Sequence, residues 1–157
     1  MLKLYKRDEQ GLLYHEAWFH DGEIHEHRGR VGDIGESREH PCSGDPEQAI
    51  RELLAPVMEA GFAPWDEDEM WTLQLTAKLE GWGSTEDLQL RIDLEAALNE
   101  RLGWTGLGHC DGGDMGSGEM SVFCFVVDGP LAKALVEQEL PGTPFAVFSR
   151  VEIRPPS

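Results

Sequence analysis

Cations are scarce in this chain. Its 157 residues carry 13 Lys and Arg against 30 Asp and Glu, a formal net charge of −17. Affinity for nucleic acid comes mostly from cations that release phosphate counterions, so a polyanionic partner is disfavoured. The anionic cytoplasmic membrane surface is disfavoured for the same reason. Both halves share the deficit: residues 1–65 hold 13 acids and 7 bases, residues 66–157 hold 17 and 6. No basic face hides behind the average. Long apolar runs are missing too, and none approaches the roughly 18 residues that cross a bilayer. The start, Met1-Leu2-Lys3-Leu4-Tyr5-Lys6-Arg7-Asp8, turns charged at once and lacks the apolar core of a signal peptide. Cysteine is sparse and odd in number. Cys42, Cys110 and Cys124 make no CxxC pair and no disulfide framework, and they read as free thiols in a reducing cytoplasm. Neither GxSxG nor HExxH occurs, and there is no internal repeat or low-complexity tract. These absences predict a cytoplasmic chain that does not enter the membrane, has no catalytic machinery and needs no cofactor.

What is present is enough for a core: 40% apolar residues and five Trp. The chain divides near the acidic run Asp66-Glu67-Asp68-Glu69 into expected modules at 1–65 and 70–157. In the first, Lys3–Arg7, Leu12–Phe19 and Glu23–Val31 read as short strands, with Glu9-Gln10-Gly11 and Asp21-Gly22 as turns. Gly32 to Gly44 reads as a loop. Asp45 caps a helix that Pro46 opens and Gly61 ends, with Ile50, Leu53, Leu54, Val57 and Met58 as its apolar stripe. Pro56 inside it should kink it or end it early.

The second module opens on strict alternation. Trp71, Leu73, Leu75, Ala77 and Leu79 point one way, while Thr72, Gln74, Thr76, Lys78 and Glu80 point the other. Ser84 and Asp87 then cap a segment to about Leu102. Leu88, Leu90, Ile92 and Leu94 alternate as a strand would, but the Ala- and Glu-rich continuation favours helix. A strand over Thr105–Asp111, a glycine-rich loop, a central strand over Met120–Val127 and a helix from Asp128-Gly129-Pro130 to about Leu140 follow. A last strand carries Phe145, Val147, Val151 and Ile153 on one side. The expected fold is α+β: a β-β-β-α module followed by a β-α-β-β-α-β module of ferredoxin-like order.

Residues 14–35 carry a family likeness. Trp18-Phe19-His20-Asp21-Gly22-Glu23-Ile24 followed by Arg28-Gly29-Arg30-Val31-Gly32-Asp33-Ile34-Gly35 resembles a WGR domain, with Arg28 where the family has its aromatic. The resemblance covers about residues 1–65. It implies a further polar strand and a helix ending in Gly-aromatic, here Gly61-Phe62, and a binding role for Arg28 and Arg30 beside Trp18. Such domains are taken to contact nucleic acid or neighbouring domains. Here the arginines are followed by Asp33, Glu36 and Glu39. That favours a structural role: Gly29 and Gly32 for backbone geometry, Arg30 for an internal ion pair. Residues 70–153 resemble small bacterial ferredoxin-like domains through Leu107-Gly108 and the run Asp111-Gly112-Gly113-Asp114-Met115-Gly116-Ser117-Gly118-Glu119-Met120. That likeness implies a fold and little more.

Asp111, Asp114 and Glu119 are candidate ligands for a hard cation, since carboxylates on a loop suit Ca²⁺ or Mg²⁺, although their spacing is not that of an EF-hand. His25 and His27 share a strand face and can meet His15 or His20 across a hairpin, a weak transition-metal pattern. His109 and Cys110 are strand neighbours and point to opposite faces, so they do not pair as base and nucleophile. Phe123 and Phe125 echo an RNA-binding aromatic platform but lack basic neighbours. Their sheet face needs cover, from the first module or from a second copy in a homodimer. Three functions fit: an adaptor binding another, basic protein; a degenerate WGR-type nucleic-acid binder; and a small-ligand sensor. The charge favours the first.

Overall fold

The structure, a computed structural model, describes all of residues 1–157. The fold is mixed α+β, with two four-stranded antiparallel sheets and three α-helices. It divides into two units, Met1–Asp66 and Glu67–Ser157, the boundary falling inside the acidic run.

The first unit is a meander. Strands β1 (Leu2–Asp8), β2 (Gly11–His20), β3 (Glu23–Arg30) and β4 (Glu36–Pro41) pair in sequence order. Asp21 and Gly22 join β2 to β3 with φ of 55° and 83°, the two positive values that a tight type I′ hairpin turn requires. Helix α1 (Pro46–Glu59) follows, with the Asp45 carboxylate accepting the Glu47 N–H at its start. One sheet face meets α1: Leu4, Ala17 and Ile24 from the strands pack with Ile50 and Leu54.

Two local expectations need correction here. Residues 36–41 form a strand, not part of a loop, so the unit has four strands. Pro56 does not end α1 early; the helix runs on to Glu59. In the last turn a proline removes only one backbone bond, the one to the Glu52 carbonyl. After the helix the chain returns to β1: Tyr5 and Ala63 exchange N–H···O bonds of 2.8 and 2.9 Å.

The second unit runs β5 (Trp71–Lys78), α2 (Thr85–Trp104), β6 (Gly108–Met115), β7 (Glu119–Val126), α3 (Gly129–Glu139) and β8 (Arg150–Arg154). Its sheet order is β6-β7-β5-β8. Ser84 and Asp87 form a reciprocal capping box at the start of α2. The ambiguous leucines resolve as helix: Leu94, Leu98 and Leu102 are buried at a spacing of four, while Leu88 and Ile92 are exposed. Leu73, Leu75, Met120, Val122, Cys124 and Val126, the helix-side residues of the two central strands, are buried as well. Thr72, Gln74, Thr76, Ser121, Phe123 and Phe125 alternate with these and form the helix-free face.

Two segments differ from expectation. Strand β6 extends through Asp111–Met115, leaving only Gly116-Ser117-Gly118 as the turn, with a bulge between Cys110 and Gly113. Residues 144–147 form a 3₁₀ turn, so the last strand is only Arg150–Arg154.

Candidate functional site

Strand register decides which candidate residues can act together. Trp18 pairs with His25, whereas Arg28 pairs with His15 and Arg30 with Leu13. Successive side chains alternate faces, so Trp18 lies on one face of the first sheet and both arginines lie on the other. The three do not converge. Arg30 makes a two-bond fork with Asp8, at 3.0 and 2.7 Å. Arg28 faces Glu36 at 3.9 Å. The bond from Arg30 and a backbone bond from Gln10 hold the Asp8 carboxyl down to about 2.

The histidines divide along the same line. On the Trp18 face, Trp18 stacks on His25 with centroids 5.5 Å apart and planes 11° apart, and His20 lies 6.0 Å from His25. Deeper on this face, His27 is fully buried. Its Nδ1 faces Glu16 Oε1 at 2.8 Å, and its Nε2 faces the Ile34 carbonyl and the Tyr14 hydroxyl. Lys3 reaches the other Glu16 oxygen at 3.3 Å. The Tyr14 hydroxyl also approaches the Asp33 and Ile34 carbonyls at 2.8 Å each. Burial, with Glu16 and Asp33 nearby, raises its pKa. This network ties residues 33–34 down over the sheet.

On the opposite face, His15 and His40 each bring Nε2 to within 2.7 Å of a Glu26 oxygen. Burial pushes Glu26 up, but the bonds from His15 and His40 outweigh it and hold the carboxyl below the usual range. Of the two expected partners across the hairpin, His20 lies near His25 and His15 faces away, and no group of three His, Cys, Asp or Glu donors is arranged to hold a metal ion.

The glycine-rich stretch in the second unit is similarly dispersed. Asp111 and Asp114 stand exposed on β6. Glu119 stands on β7, where Arg150 donates to both its oxygens at 3.1 and 3.3 Å. Gly113 has a packing role: a Cβ there would collide with the Ser121 carbonyl and meet the Arg91 guanidinium at 2.6 Å. His109 lies against Phe125 on the helix-free face, with centroids 5.9 Å apart. Its neighbour Cys110 points to the helix side, opposite Cys124.

The helix-free face carries a groove of about 310 Å³ lined by Thr72, Gln74, Glu152, Ile153 and Arg154. Register places Arg154, Thr72, Phe125 and His109 in one row across all four strands. A cation, a hydroxyl and two rings in line can hold a small anion that has an apolar body. The sequence alone did not reveal this row, because β8 had to be aligned on β5 first. No helix is long and apolar enough to cross a membrane. Compared with protein-family models, curated proteins and solved structures, the chain matches none of them.

Proposed function

We propose that this chain is a non-catalytic, cytoplasmic adaptor that binds a basic protein, built from a WGR-like module and a ferredoxin-like module. The meander followed by a helix with Gly61-Phe62 just beyond its end supports the first name, and the sheet order β6-β7-β5-β8 supports the second. The observation that carries the functional reading is the engagement of Arg28 and Arg30 by Glu36 and Asp8. Carboxylates of the same sheet face the two cations that a nucleic-acid site would need, while Asp66, Glu67, Asp68 and Glu69 are exposed. Acidic surface of this kind speeds capture of a basic partner and makes the capture salt-sensitive.

The test is affinity capture from the native cell extract. The expected result is a basic protein that elutes with salt and is lost when residues 66–69 are replaced by Asn and Gln. Capture indifferent to both changes, or tight binding of duplex DNA at low salt, overturns the reading. The row Arg154, Thr72, Phe125 and His109 favours a second function, a sensor of small aromatic or aliphatic carboxylates. Thermal stabilisation by such acids that disappears in Arg154→Ala is its signature, and no stabilisation by any of them removes it.

A further inference from the structure

Two of the three cysteines are brought together by the fold. Ser117 is the centre of the β6–β7 turn, and Cys110 and Cys124 lie seven residues to either side of it as register partners. Directly paired residues on antiparallel strands have Cα atoms about 4.5 or 5.5 Å apart, depending on pair type, and both values suit a disulfide, which accepts about 4.4–6.8 Å. The Cys110 N–H is turned to Asn99 Oδ1 at 3.1 Å. The bulge that begins at Cys110 gives the backbone local room to adjust.

The two thiols differ in access. Cys124 is wholly buried, whereas Cys110 is half-buried on the edge strand β6. We propose that Cys110 and Cys124 are a reversible oxidation site, in which a hydroperoxide oxidises Cys110 and Cys124 resolves it into a disulfide. The proposal is independent of what the chain binds.

The chemistry balances. The Cys110 thiolate attacks the peroxide, the O–O bond breaks, and the displaced oxygen takes a proton to leave as water or an alcohol. Cys110 is then a sulfenic acid. The Cys124 sulfur attacks it, the S–O bond breaks, and hydroxide leaves with the Cys124 proton as water. Two electrons pass from the thiol pair to the peroxide, and a dithiol reductant reverses the change. The division of roles fits the surroundings. The bond between the two side chains lowers the pKa of Cys110 and raises that of Cys124, and burial raises Cys124 further. The Cys110 thiol also reaches the Phe123 carbonyl at 3.5 Å. Oxidation would staple edge strand β6 to its neighbour.

The test uses the full reduced chain, treated with hydrogen peroxide, denatured and alkylated. The expected product is two hydrogens lighter, takes one alkyl label where the untreated chain takes three, and yields on digestion a joined peptide containing Cys110 and Cys124. Dithiothreitol restores three labels. Cys124→Ala is expected to stop at a Cys110 sulfenic acid that reacts with a 1,3-dione. The native chain decides the matter without any variant. Three labels retained, a joined peptide containing Cys42, disulfides only between chains, or Cys110 oxidised beyond the sulfenic acid without joining would each overturn the proposal.

Discussion

Gly35 sits at φ 72°, and a side chain there would run into the Arg28 carbonyl and lie 2.7 Å from the Tyr14 hydroxyl. Gly29 faces it, and a Cβ there would lie only 2.9 Å from the Gly35 Cα. The two glycines let residues 33–35 close over Tyr14 and His27. Gly35→Ala should therefore lower the urea midpoint; the left-handed backbone alone costs about 1–3 kcal/mol. Asp8 makes a different prediction. Its folded pKa is depressed, so its contribution is complete above the ordinary value near 3.8 and is lost as pH falls through about 2. The native urea midpoint should drop more steeply across that window than the midpoint of Asp8→Asn. Equal slopes would mean that the Arg30 fork is not kept in solution. At this scale the sequence was informative about type and silent about facing. That Arg30 makes an internal ion pair was legible. That Trp18 and the arginines lie on opposite faces needed the register.

Elements were legible where one face is buried and obscure where neither is. The alternation of β5 and the Ser84 box before α2 announce themselves, because burial and capping each leave a periodic mark. Ser84→Ala should cost about 1 kcal/mol, the usual value of an N-cap hydroxyl, read from the same urea titration. Strand β4, Glu-Ser-Arg-Glu-His-Pro, leaves no such mark. Five of its six residues are exposed, and its backbone ladder to β3 is what makes it a strand. Strand β6 hid for the opposite reason. Its glycines look like turn residues, yet Gly113 is there because the Ser121 carbonyl of β7 and the Arg91 and Glu95 side chains of α2 leave no room for a Cβ. Turn and close approach both call for glycine, and sequence alone does not separate them. Phe145 and Val147 alternate like a strand, but Pro144 opens a 3₁₀ turn that ends their run before β8 begins.

For the molecule as a whole, charge sets the behaviour. With a net charge of −17, repulsion among carboxylates opposes compaction, and salt relieves it. Salt also weakens exposed pairs such as Arg101–Glu139 and Lys133–Glu137, but each of these is worth only about 0–1 kcal/mol. Repulsion should dominate, so the thermal midpoint is expected to rise from low to physiological ionic strength. A fall would show that the ion pairs carry more of the stability than the surplus costs.

The bridge between Tyr5 and Ala63 bears on how such a unit travels. Residues near its entrance and exit exchange both backbone hydrogen bonds, and Lys6 adds a bond of 2.7 Å to the Ala60 carbonyl. A stretch of chain whose two ends are clasped in this way closes on itself before any connection leaves it. It can be spliced between two residues of a host loop, or have its order of strands rotated, while every pairing of its sheet is kept.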